Sequence, residues 1–178
     1  MTDAALVQRV LDGDVTAFAT LLDRHAPACL RYAARMLGNH QDAEDAAQEA
    51  FVRAYAALPR YEGHTAFRTW LFAILINRCR TLALHRSRRE KRVTIDEDAV
   101  ARATVRDASG IAELREEIGR AIAMLDPEHR EAFLLKHVEE LSYDEMSAMT
   151  GLGVSALKMR VSRACARLRD LLGEGGEE

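Results

Sequence analysis

The chain has 178 residues, of which 48% are hydrophobic and 30% charged, enough apolar material to bury a core in one domain or two small ones. No apolar run approaches the roughly 20 residues that span a bilayer, and the opening MTDAALVQRVLDGD lacks the basic-then-apolar order of a signal peptide, so a cytoplasmic protein is expected. The formal net charge of −3 conceals an uneven distribution: residues 1–95 carry +4, residues 96–110 carry −2 and the rest −5. Two windows are strongly basic, Arg78 to Arg92 with seven basic residues against one acid and Ser155 to Arg169 with five against none, and each is a candidate phosphate-binding surface. Cys29, Cys79 and Cys165 form no C-x-x-C pair, which argues against a disulfide framework or a zinc ribbon and for buried or half-buried thiols.

In chain order, apolar residues recur at helical spacing from Leu6 to Leu22 and from Leu30 to Leu37, where Gly38-Asn39 stops the run. The next helix, Asp42 to Leu58, has a seam of Ala47, Phe51, Ala54, Tyr55 and Leu58 and a polar face dense in carboxylates and amides. Those carboxylates suit metal ligation, acid-base chemistry or a basic docking partner. Glu44, Gln48 and Glu49 could approach a cation, but no histidine joins them at a useful spacing, and the His25/Cys29 pair lacks the further ligands of a zinc site. No metal or other cofactor is therefore expected. Pro59 closes the helix, PRYEGHTA forms a loop, and Thr65 is placed to cap a fourth helix with an apolar stripe of Phe67, Trp70, Leu71, Ile74 and Leu75. Tyr61, His64, Asn77 and the arginines after it supply the aromatic, amide and cationic groups that hold unstacked bases, whereas Phe67 and Trp70 read as core.

The stretch TIDEDAVARATVRDASG has little amphipathic order and marks residues 96–110 as a flexible linker between a domain at 1–95 and another at 111–178. In the second domain Asp126-Pro127 starts a helix expected to run to about Glu140, and SYDE from Ser142 forms a capping box for a short helix that ends at Gly151. After the GLGV turn, Ser155 is placed to cap a final helix reaching about Leu172, completing a helix-turn-helix. At about 100° per residue, Leu157, Val161, Ala164, Leu168 and Leu171 share its packing side. Ser155, Lys158, Met159, Ser162, Arg163 and Ala166 share the open side, with Arg160 and Arg167 on the flanks. Small residues there permit close approach to DNA, and the cations are donors suited to guanine edges or phosphates.

The ordered set DAEDAAQEAF, YEGHTAFRTWLFAILINRCR, a basic run, and LDPEHREAFLLKHVEELSYDEMSAMTGLGVSALKMRVSRACARLRDLL resembles bacterial RNA polymerase sigma factors of the extracytoplasmic-function group in the sigma-70 family. The resemblance implies an all-α fold of two small domains, sigma-2-like and sigma-4-like, and a transcription initiation factor without catalytic activity. It implies that Asp42, Asp45, Gln48, Glu49 and Val52 dock on the clamp helices of the largest polymerase subunit. It implies a minus-10 DNA site at Tyr61, Gly63, His64, Ile74, Asn77, Arg78, Thr81 and Arg88. It places the minus-35 site at Ser155, Lys158, Met159, Arg160, Ser162, Arg163 and Arg167.

One position departs from the family pattern. Met159 stands where many members have a small polar residue, giving a side chain able to contact a thymine methyl or cover sugar surface. Because the chain ends at Glu178, without the extra C-terminal regulatory domain of some members, control is expected from a separate anti-sigma factor. Two other functions remain to be separated: a plain helix-turn-helix regulator, and a hydrolase using His40, Glu44 and Glu49, which lacks a phosphate loop or nucleophile elbow.

Overall fold

The computed structural model describes residues 1–93 and 110–173, with side chains described for 1–85 and 113–173. The expected linker at 96–110, apart from Gly110, and the domain boundary at residue 95 lie outside the described residues. So does the side chain of Arg88.

Four helices form the first group: α1 (Asp3–Leu11), α2 (Val15–Leu37), α3 (His40–Ala57) and α4 (Phe67–Val93). The first break differs from the sequence expectation. It falls at Gly13, whose φ of 99° suits a residue without a Cβ, and Asp14 then caps α2 by accepting from the Thr16 amide at 3.0 Å. No break follows Leu22; α2 runs through Pro27. Proline there removes one helical N–H, but the buried face of Leu21, His25, Cys29 and Tyr32 packs on both sides of it and holds the helix together. His25, weighed above as half of a metal pair, lies 2.8 Å from Asp3 through Nε2, and Arg24 also bonds Asp3, so the two side chains pin α1 onto α2.

Gly38 ends α2 in the left-handed conformation, and Asn39 caps α3 through the amide of Gln41. The α3 seam is buried at Ala47, Phe51 and Ala54, and so is Leu58, which lies just past the helix at the start of a 3-10 turn (Leu58–Arg60), whereas Tyr55 is 43% exposed and meets Phe18 edge-on at 4.9 Å. In α4, Phe67, Leu71, Phe72, Leu75, Ile76 and Cys79 are buried. Thr65 does not take the cap position, because the first helical bond runs from Trp70 to the carbonyl of Ala66. The Thr65 carbonyl instead accepts from the Tyr61 hydroxyl at 2.5 Å. Burial pushes the thiols of Cys29 and Cys79 up to about 12, so both behave as small apolar side chains.

The second group is α5 (Gly110–Ala123), α6 (Pro127–Phe133), a π-helical turn (Leu134–Val138), α7 (Tyr143–Thr150) and α8 (Val154–Gly173). Asp126 precedes α6 without a side-chain capping bond, Pro127 alone marking the first turn. The capping box forms as read: Ser142 accepts from the Glu145 amide at 3.2 Å, and the Glu145 carboxylate accepts from the Ser142 amide at 2.8 Å. Those bonds hold the Glu145 carboxyl below its ordinary range. Gly151 ends α7 at φ 73°, but α8 already begins at Val154, so Ser155 lies in its first turn and is not the cap.

The helix expected to reach Glu140 widens into the π turn at Leu134 and ends at Val138, and Glu140 takes a left-handed φ of 55°. The inserted residue re-aims the chain and turns Glu139 inward, where its side chain is 0% exposed.

That inward turn matters because the two groups of helices are docked on each other. α4 packs against α7, and α2 against α6 and the π turn. The Glu139 carboxylate receives Arg31 of α2 at 3.1 and 3.2 Å and Arg68 of α4 at 2.9 Å. Glu131 of α6 receives Arg80 of α4 in a two-pronged pair at 2.6 and 2.8 Å, and Arg130 donates to the Met36 carbonyl of α2 at 2.9 Å.

Candidate polymerase and promoter interfaces

On the first group, α2 and α3 leave an apolar groove between them, lined by Phe18, Leu22, Leu30, Ala47, Phe51 and Tyr55 with Glu44 and Gln48 on its rim. Val52 also lines it and is 62% exposed. An exposed apolar strip with a polar rim has the layout of a protein-docking surface. Asp45 and Gln48 are exposed on this face and Asp42 is half-buried. Glu49 is different: its carboxylate accepts from Arg53 at 2.5 and 2.9 Å and pairs with Arg78 Nε at 2.6 Å, so it also ties α3 to α4. Sequence reasoning missed the α2 wall of this groove, whose only signal was the apolar periodicity of Phe18, Leu22 and Leu30.

The loop before α4 brings together most of the expected minus-10 residues. Tyr61 stacks tilted on Trp70 at 4.9 Å and meets Phe67 edge-on at 6.0 Å. Gly63 turns the chain at φ 74°, and His64 is exposed beside Glu62 at 2.8 Å. A small hollow of about 200 Å³ lies between this loop and Trp70. Phe67 is core as expected, whereas Trp70 is half-buried, packing inward while its edge lines the hollow.

A larger groove on the other side of the loop is walled by Asp3, Val7, Gln8 and Leu11 of α1 and by Arg24, giving α1 a place at the site that its sequence did not signal. Along α4, Asn77 and Thr81 are exposed and Ile74 is half-buried. Arg78 is turned toward Glu49, with 22% of its side chain exposed.

On the second group, α8 divides its faces as the periodicity requires. Leu157, Val161, Ala164 and Leu168 are buried, and Ser155, Lys158, Met159, Ser162, Arg163, Ala166 and Arg167 are exposed. The Lys158 ammonium lies 5.6 Å over the Tyr143 ring of α7, which steers it across the open face. Arg160 leaves that face: it pairs with Glu128 at 2.8 Å, and 23% of its side chain is exposed. The arrangement is a capped positioning helix, a glycine turn and a second helix whose basic, solvent-facing side fits a major groove.

The family model for sigma-70 region 2 matches residues 21–92, and that for sigma-70 region 4 matches residues 115–168. The chain belongs to the sigma-70 family. It is 36% identical to the RNA polymerase sigma factor CarQ of Myxococcus xanthus, over 94% of this chain and 96% of the relative. It is 32% identical to the ECF RNA polymerase sigma factor SigW of Bacillus subtilis, over 93% and 94%, which places it in the extracytoplasmic-function group.

Two solved structures share its fold. The sigma factor RpoE bound to the anti-sigma factor NepR from Bartonella quintana superposes with a TM-score of 0.74 at 29% identity, covering 89% of this chain and 98% of that one. CnrH in complex with the cytosolic domain of CnrY gives 0.72 at 30% identity, covering 97% of both chains. The region 2 match thus takes in the α2/α3 groove except Phe18, the loop and α4 as far as residue 92, and the region 4 match takes in α7 and α8 as far as residue 168. Among the described residues no helix is long and apolar enough to cross a membrane.

Proposed function

We propose that this sigma factor docks on core RNA polymerase through the α2/α3 groove and its rim, with Asp42, Asp45, Gln48, Glu49 and Val52 contributing. It captures the minus-10 element with the Tyr61–His64 loop and the Ile74, Asn77 and Thr81 face of α4, joined by Arg78 and Arg88. It reads the minus-35 element with α8, through Ser155, Lys158, Met159, Ser162 and Arg163, with Arg160 and Arg167 flanking. The working units are residues 1–95 and 111–178. The chain acts in the cytoplasm and has no catalytic step of its own. A separate anti-sigma factor holds it inactive, a reading supported by the two structural relatives, each bound to a partner of that kind or to a partner's cytosolic domain.

The observation that carries the DNA reading is α8: four buried apolar residues at helical spacing fix its rotation, and that rotation leaves Lys158 and Arg163 facing solvent beside small residues. Replacing Lys158 or Arg163 with Ala is expected to cost about 1–3 kcal/mol on cognate minus-35 DNA and little on scrambled DNA. Arg167→Ala should weaken binding to both and lower the salt slope by about one contact. Holoenzyme binding to the two duplexes at several salt concentrations measures this. Uniform losses for Lys158→Ala and Arg163→Ala would make α8 a phosphate clamp rather than a reader.

A further inference from the structure

Arg80 belongs to the basic run that follows Asn77 but is not among the residues the resemblance assigns to the minus-10 site, and it lies on α4 only about 60° around the helix from Asn77 at 100° per residue. In the docked structure its guanidinium is taken up by both oxygens of Glu131, a carboxylate that is almost wholly buried. One turn away on the same face of α6, Glu128 holds Arg160 of α8. Arg80, Glu131, Glu128 and Arg160 all line one cleft of about 450 Å³ between the two domains. A bidentate carboxylate offers a guanidinium the same charge and fork geometry as two phosphate oxygens.

The docked arrangement cannot serve a promoter. Minus-10 and minus-35 elements are about 25 base pairs apart, roughly 85 Å of duplex at 3.4 Å per pair. Asn77 reaches Arg160 through Arg80, Glu131 and Glu128, two helical turns and two ion pairs that together span less than about 40 Å at 1.5 Å rise per residue. The domains must therefore separate before both elements are bound, and separation frees Arg80.

The docked state is built to be left. Beside its helix packing, its polar contacts place the buried carboxylates of Glu131 and Glu139 in ion pairs with Arg80, Arg31 and Arg68, whose desolvation cost offsets much of their attraction. The buried Tyr32 hydroxyl, which feels the charges of Glu131 and Glu139, has no hydrogen-bond partner among the described residues.

We propose that Arg80 is a promoter-phosphate contact held in reserve, capped by Glu131 while the domains are docked and transferred to the DNA backbone beside the minus-10 element when they part. The inference rests on the proposed function. It makes one side chain serve both the closed clasp and the open complex, so the two members of the ion pair have opposite effects on DNA.

The test compares Arg80→Ala and Glu131→Gln in full-length chain and in holoenzyme reconstituted with core polymerase. The probes are a duplex carrying a promoter mapped by transcript 5′-end sequencing and a scrambled duplex of the same length. Both variants should widen the distance between fluorophores placed on the two domains of the free chain. In holoenzyme, Glu131→Gln should bind DNA at least as well as the parent. Arg80→Ala should bind about tenfold more weakly at low salt, with the slope of log affinity against log salt reduced by about 0.9. Arg80→Lys should recover most of that slope, which a purely structural role would not require. Arg80→Ala holoenzyme that matches Glu131→Gln in affinity and slope would overturn the assignment and leave Arg80 as a clasp residue only. A parent chain that forms no promoter-binding holoenzyme would instead overturn the proposed function, and the Arg80 role with it.

Discussion

A chain carrying Asp45→Arg and Val52→Glu is expected to fold normally and to bind core polymerase on the order of 100-fold more weakly, because it sets a cation and a desolvated charge into the docking face. Both side chains are solvent-facing, so their replacement disturbs no packing. Glu49→Arg is a poorer probe, although Glu49 belongs to the same face. Its carboxylate neutralises Arg53 and Arg78, and a third cation there would loosen α3 from α4 whatever its effect on polymerase. Competition against labelled parent chain for core, with thermal melting as the folding control, measures the effect. Undiminished competition by the doubly substituted chain would remove the docking role from α3.

Tyr61→Ala combined with Asn77→Ala should leave core binding nearly intact and impair strand opening by about 10- to 100-fold, since a stacked base is worth about 1–3 kcal/mol and Asn77 adds an amide contact. Permanganate reactivity of thymines in the opened region reads this directly. Tyr61 also packs on Trp70 and Phe67, so its truncation has a structural component. Tyr61→Phe separates the two: it loses the hydroxyl bond to the Thr65 carbonyl but keeps the ring, and should retain most of the opening. A Tyr61→Phe chain as defective as the double variant would assign the residue to loop geometry and not to stacking.

Local signals carried through to the structure where a few neighbouring residues settle the geometry. Ser142 and Glu145 are enough to specify a capping box, and the 3.6-residue spacing from Leu157 to Leu168 is enough to rotate α8. Where packing from elsewhere decides, the sequence misled. The apolar spacing reads as one run ending at Leu22 and another starting at Leu30, yet α2 continues between them, through Pro27, because buried residues on both sides share one core. LLKHV reads as ordinary helix, and its π turn, which buries Glu139, has no composition signature.

The ion pairs between the domains were illegible for a related reason. Arg31 and Glu139 are 108 positions apart, and each alone reads as a solvated charge. The same applies to Arg80, whose basic neighbours suggest a DNA track but not a carboxylate cap. The wall that α1 adds to the minus-10 loop depends on Asp3 meeting Arg24 and His25, a contact between two helices that no periodicity reports.

This chain directs core polymerase to promoters. The most direct measurement of that activity is in vitro transcription with purified core, with and without the chain, followed by sequencing of RNA 5′ ends. Initiation should depend on the added chain and start at sites sharing a common pair of upstream elements. Altering the upstream element should reduce transcription in the parent and produce little further loss in Lys158→Ala or Arg163→Ala. The contradicting result is a chain that binds those DNA sites without core polymerase and adds no specific start sites when core is present, the behaviour of a plain helix-turn-helix regulator.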